Sequence, residues 1–84
     1  MDIIASTDNI HIKNAAALKQ KKYRDKTNLF LLEGVRLIET ALQSSAEIKE
    51  CFYLKSIISD SRAAALIEKL SEQDCFIHEI SPAV

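Results

Sequence analysis

Five cations stand in the eight residues from Lys19 to Lys26: Lys19, Lys21, Lys22, Arg24 and Lys26, with Tyr23 among them. Extending the stretch back to His11 adds Lys13, and over those sixteen residues Asp25 is the one acid, for a local charge of +5. The whole chain sums to −1, so the other 68 residues must carry −6. A basic patch on an acidic body is the electrostatic footprint of a surface for polyanions, and RNA, DNA or an anionic membrane would each satisfy it. The lysines would meet phosphates as point charges, whereas Arg24 can grip one through two parallel hydrogen bonds. Tyr23 offers an aromatic plane to an unpaired base or, in the alternative, packs its ring beneath the segment. The plainer reading of the same run is a solvated helix end that keeps the domain soluble.

A second constellation is Glu33-Gly34-x-Arg36. At a strand-to-helix junction, free amides attract anions and a residue without a side chain lets a ligand approach the backbone, so a ribose or phosphate has a place to dock. Equally, Gly34 serves only the geometry of the turn. His11 and His78 are far apart in sequence with no Asp or Cys at useful spacing, which predicts neither catalysis nor a metal site. Cys51 and Cys75 have no C-x-x-C and no histidine pair nearby, so both are expected to be buried strand residues. No nucleophile and base stand at a spacing that suggests catalysis.

Glycine is the most selective count. Average usage of about 7% predicts roughly six in a chain of this length, and there is one among 84 residues. A dinucleotide fingerprint needs three glycines and a P-loop two, so both are excluded. The content of 48% hydrophobic and 27% charged residues belongs to an ordinary globular domain, and the length admits one core. The apolar runs Leu29–Leu32 and Ala63–Ile67 are far below the ~20 residues that cross a bilayer. With Asp2 directly after Met1 in place of a basic and apolar leader, the expectation is a soluble, cytoplasmic protein.

The elements that must position these groups follow from cap residues and apolar spacing. Ser6, Thr7 and Asp8 are cap types ahead of a first helix from Asn9 to about Gln20, with Asn9 capping or bracing it and Lys13 one turn further along. The basic run Lys21 to Asn28 is expected as that helix's end plus a loop. Leu29 to Glu33 reads as a buried strand, Val35 to about Ser44 as a helix, and Ile48 to Leu54 as a second strand. Ser59-Asp-Ser-Arg62 caps a helix whose inner face is Ala63, Leu66, Ile67 and Leu70, and Cys75 to Ile80 is the last strand. Helix and strand alternate throughout, which predicts α/β layers with parallel strands.

Three pieces of the chain, Ile4-x-Ser6-x-x-Asn9-x-x-Ile12-Lys13, Lys21-Lys-Tyr-Arg24 and Phe30-Leu-Leu-Glu-Gly34-x-Arg36, resemble in order and spacing the N-terminal substrate-binding domain of the SpoU, or TrmH-like, RNA 2′-O-ribose methyltransferases. The resemblance runs from about Ile3 to Ser81 and is sharpest between Lys19 and Leu42. It implies an L30e-like three-layer α/β/α fold, with a small, mainly parallel sheet and an N-terminal helix, as a single domain over residues 1–84. It also implies that Lys13, Lys19, Lys21, Lys22, Tyr23, Arg24, Lys26, Glu33, Gly34 and Arg36 face ribosomal or transfer RNA.

In that family a separate C-terminal knotted domain holds S-adenosylmethionine and does the chemistry. The resemblance therefore implies an isolated domain, with catalysis, cofactor and dimerisation in a domain expected after residue 84. This chain alone would be monomeric, inactive and without a cofactor or metal of its own. Two other readings stay open: a stand-alone structural RNA-binding protein of the L30e kind, and a protein-interaction module whose basic segment meets an acidic partner.

Overall fold

Cys51 to Leu54 and Phe76, Ile77 and Ile80 give the segments Glu50–Leu54 and Phe76–Ile80 their strand preference, and these segments pair in parallel, Glu50 opposite Phe76 through Leu54 opposite Ile80. The computed structural model describes Ile3 to Pro82 and Val84. Met1-Asp2, the leader residues considered above, and Ala83 near the chain's end lie outside the described residues. In chain order the elements are α1 (Ile10–Ala17), α2 (Lys21–Thr27), α3 (Val35–Gln43), β1 (Glu50–Leu54), a 3-10 turn (Lys55–Ser59), α4 (Ser61–Ser71) and β2 (Phe76–Ile80). A one-residue parallel bridge widens the sheet: the Ile4 N–H donates to the Glu79 carbonyl at 2.8 Å, and the Ser81 N–H donates to the Ile4 carbonyl at 2.9 Å.

α4 is the crossover between the strands, as parallel pairing requires. It starts where expected, because the Asp60 carboxylate accepts from the Arg62 N–H at 2.9 Å and the Ala63 N–H at 3.3 Å, satisfying two amides that a helix start leaves free. Its inner face is Ala63, Leu66 and Leu70, spaced three and four apart, and these three are buried together with Ile4. α4 packs against β2 and α3, and α1 meets the sheet through His11. The result is the expected compact α/β fold, a small parallel sheet flanked by helices with a helix near the N-terminus, consistent with an L30e-like three-layer arrangement.

Three local expectations are corrected. The first helix does not run to Gln20: Asn9 caps it by accepting from the His11 N–H, it ends at Ala17, and Gln20 is extended (φ −100°, ψ 134°). Lys21–Thr27 is consequently a helix of its own and not a loop, closed by Asn28 in the left-handed conformation at φ 58°.

Leu29 to Glu33 is not a strand. The Leu29 N–H donates to the Thr27 hydroxyl at 3.2 Å, and among the described residues no strand pairs with the segment; Phe30 is 64% exposed. A short apolar run has the same composition whether it joins a sheet or lines a surface recess, which is why composition misplaces it. Finally, Cys51 and Cys75 are half-buried, not buried, and Cys75 precedes β2, leaving Cys51 as the strand cysteine.

Candidate nucleic-acid interface

The basic segment is concentrated on α2 and the turn before it. Lys19 is exposed in that turn, and Lys21, Lys22 and Lys26 are exposed on the helix, with Tyr23 and Arg24 half-buried beside them. Neighbours set how available each charge is. Lys21 Nζ lies 2.9 Å from Asp25 Oδ2 one turn on, an exposed pair of small worth. Lys22 Nζ sits 4.9 Å above the Tyr23 ring, so a cation already covers one face of the tyrosine. Lys13, Lys19 and Lys26 form no ion pair among the described residues.

Arg24 is the residue that joins the patch to a shape. Its Nη1 donates to the Leu18 carbonyl at 3.0 Å, one of the acceptors left free where α1 ends, and this holds the side chain across the turn. There Arg24 and Lys19 line an open recess of about 480 Å3 with Glu33, Phe30, Leu18, Leu31 and Leu37. Two cations, one carboxylate and a largely exposed phenyl ring thus share one concavity. Cations suit a phosphate, the carboxylate accepts hydrogen bonds from ribose hydroxyls or base amino groups, and the ring offers a face for a base.

The remaining expected site residues lie elsewhere. Lys13 is exposed on α1 and Arg36 on the first turn of α3. Gly34 is the N-cap of α3 at φ 100° and ψ 146°, with nothing within 4 Å of where a Cβ would stand. That backbone conformation is nearly exclusive to glycine, so the turn itself explains the residue. Gly34 borders a second, apolar cleft of about 260 Å3 between α3, β1 and α4. Neither concavity fits S-adenosylmethionine: the recess is shallow and charged, and the cleft is walled by side chains such as Val35, Ile38, Leu66 and Leu70, without charged partners for the cofactor's amino-acid end.

Sequence separation concealed two further groupings. His11 from α1, Glu50 from β1 and His78 from β2 converge, with Glu50 Oε2 lying 3.0 Å from His11 Nδ1 and 2.9 Å from His78 Nε2. Phe30 is the other, an aromatic group that composition assigned to the interior. The two cysteines are chemically quiet: burial, with the nearby Cys75 contributing, pushes the Cys51 thiol up to about 11, and burial then the Glu50 charge raise that of Cys75. Among the described residues, no helix is long and apolar enough to cross a membrane.

The profile of the MRM3-like substrate binding domain matches residues 9–84. The chain is also similar to the 23S rRNA (guanosine(2553)-2'-O)-methyltransferase RlmP of Bacillus subtilis (strain 168), at 46% identity over 50 residues. That stretch covers 60% of this chain and 20% of the relative, so the match spans about a fifth of the relative's length. No solved structure matches.

Proposed function

The chain belongs to the MRM3-like substrate binding domain family, homologous to the N-terminal domains of SpoU/TrmH-type 2′-O-ribose methyltransferases, and on that premise we propose that it holds RNA for methylation by a catalytic domain in a longer protein. The observation that supports this most is the recess where Lys19 and Arg24 of the basic segment meet Glu33 and Phe30. A nucleotide of a loop or single strand fits its chemistry: phosphate on the cations, ribose or base edge on Glu33, and base against Phe30. Lys13, Lys21, Lys22, Lys26 and Arg36 then extend the contact along the flanking backbone, which fixes position and not sequence. Tyr23, half-buried with Lys22 over its ring, lies among these cations.

Ribosomal RNA is the substrate class that the relative's name carries, and we take it as the substrate class here. In this reading the longer protein is an S-adenosylmethionine-dependent enzyme that dimerises through its catalytic domain. This chain binds RNA without binding the cofactor or transferring a methyl group.

The test is fluorescence anisotropy of labelled ribosomal RNA hairpins titrated with the chain. Wild type binds at micromolar concentration, and Arg24→Ala with Lys19→Ala binds at least about tenfold more weakly, a loss of about 1.4 kcal/mol. Absence of binding by wild type, or equal binding by the double variant, refutes the reading; an acidic protein partner retained after nuclease treatment would favour the interaction-module alternative.

A further inference from the structure

We propose that His11, Glu50 and His78 form a binding site for one divalent first-row transition-metal ion, of which Zn2+ is the best match. Their donor atoms, one from each residue, all lie within 4.8 Å of one another. The Glu50 carboxylate oxygen already touches both imidazoles, at 3.0 Å and 2.9 Å. Tetrahedral zinc with bonds near 2.0–2.2 Å separates its ligand atoms by roughly 3.4 Å, so the two carboxylate edges must open by tenths of an ångström while the edge between the histidine nitrogens, within 4.8 Å, closes toward the same value.

The convergence is built by the fold. Parallel register puts Phe52 opposite His78, and Glu50, two residues before Phe52, shares that face of the sheet. The His78 ring stacks on Phe52 with centroids 5.0 Å apart and planes at 23°, which fixes its direction. From the other side, Asn9 caps α1 by accepting from the His11 N–H at 2.8 Å, and so holds the helix end that carries the third ligand. The His11 ring centroid lies 4.7 Å from that of His78.

The donor chemistry selects the ion. Two imidazole nitrogens and one carboxylate oxygen suit zinc and its neighbours, whereas magnesium and calcium take oxygen sets. On binding, the ion takes the lone pair of one nitrogen on each imidazole, and each neutral ring keeps its N–H on the other nitrogen. The His11 side chain is 48% exposed and that of Glu50 32%, so ions have an entry path and a fourth position is open to water. α1 contributes no buried residue to the core, and the metal would fasten this helix to the sheet.

Isothermal titration of the untagged chain with zinc chloride tests the proposal. The expected result is one ion per chain at micromolar affinity or tighter, with magnesium chloride giving no heat. His11→Ala, at an exposed position, and Glu50→Gln should each keep the wild-type circular dichroism and weaken zinc by about 100-fold or more, beyond the about 10–100-fold typical of losing a supporting contact.

Cobalt substitution supplies a second readout, because visible bands without thiolate charge-transfer absorption mark nitrogen and oxygen ligands. No zinc heat at millimolar ion, unchanged affinity in both variants, or a thiolate band that places the metal on Cys51 or Cys75 would overturn the site. RNA affinity plays no part in this measurement, so it stands or falls apart from the function proposed above.

Discussion

Arg62 Nε donates to both carboxylate oxygens of Glu39, at 2.9 Å and 3.0 Å, and so ties the first turn of α4 to the middle of α3 across 23 residues of sequence. Hydrogen bonding to Arg62 is the main reason the Glu39 carboxyl titrates below its usual 4.5, and the same bond raises the guanidinium further above its ordinary range. Both groups are accessible to water, so screening limits what the pair adds to stability.

The pH dependence follows from the sign of that shift. A carboxyl held lower in the folded than in the unfolded chain stabilises the fold above its unfolded value, and that support disappears as pH falls through the lowered native value. Glu39→Gln should therefore melt slightly earlier than wild type at neutral pH, with the difference closing in the acid range below 4.5. Thermal melts of both proteins across that range check it. A gap that persists undiminished in acid would show that Glu39 acts through packing and not through its charge.

Glu39 and Arg62 illustrate what the sequence exposes and what it hides. Each stands in a helix that the sequence predicts, but their meeting depends on the angle between two helices, which no local pattern encodes. The same applies to His11, Glu50 and His78, which come from three separate elements. By contrast, α4 is readable because Asp60 and the spacing of Ala63, Leu66 and Leu70 are local signals. The charge segregation that marks α2 is also a local count. The form of that segment is not, because the break at Gln20 is a backbone conformation in a stretch without glycine or proline.

Leu70, in the last turn of α4, has no exposed surface. Leu70→Ala removes three buried carbons and leaves a cavity, at a cost of about 2–5 kcal/mol, against a total stability of roughly 4–12 kcal/mol for a domain this size. The variant should unfold at much lower urea than wild type. A change below about 1 kcal/mol would mean that the helix repacks freely onto the sheet.

At Gly34 a side chain meets open space but a disfavoured backbone. Gly34→Ala should cost about 1–3 kcal/mol of stability through strain alone, while RNA affinity measured on the folded variant at low temperature remains at the wild-type value. Weaker RNA binding by a fully folded variant would instead make the glycine part of the docking surface, as expected from its place in Glu33-Gly34-x-Arg36.

Phe30 provides the test of base stacking. Its ring is 64% exposed at the edge of the recess, so Phe30→Ala should leave the fold intact and weaken single-stranded or loop RNA by about 1–3 kcal/mol. Duplex RNA, whose bases are already stacked, should lose little. Paired titrations with a hairpin and a blunt duplex separate the two: no loss on either would place Phe30 outside the contact, and equal losses on both would rule out stacking on an unpaired base.

The lysines of α2 make a finer prediction, because their surroundings differ. If Lys21, Lys22, Arg24 and Lys26 each neutralise one phosphate, together they should contribute about −3 to the slope of log affinity against log salt, near −0.7 for each contact on single-stranded RNA. Lys26, with no ion pair among the described residues, should give up its full share when changed to alanine, flattening the slope by about 0.7. Lys21 is held 2.9 Å from Asp25, so a phosphate must compete with a carboxylate already in place. Lys21→Ala should flatten the slope less than Lys26→Ala, and Asp25→Asn should raise affinity by freeing the lysine and removing a repulsive charge. Lys49, paired at 3.0 Å with Glu47, serves as the control whose loss leaves the slope unchanged. Salt-series anisotropy on these variants decides the matter: equal effects at Lys26 and Lys49 would show that overall charge drives binding, whereas a weaker Asp25→Asn complex would give the aspartate a direct hand in holding RNA.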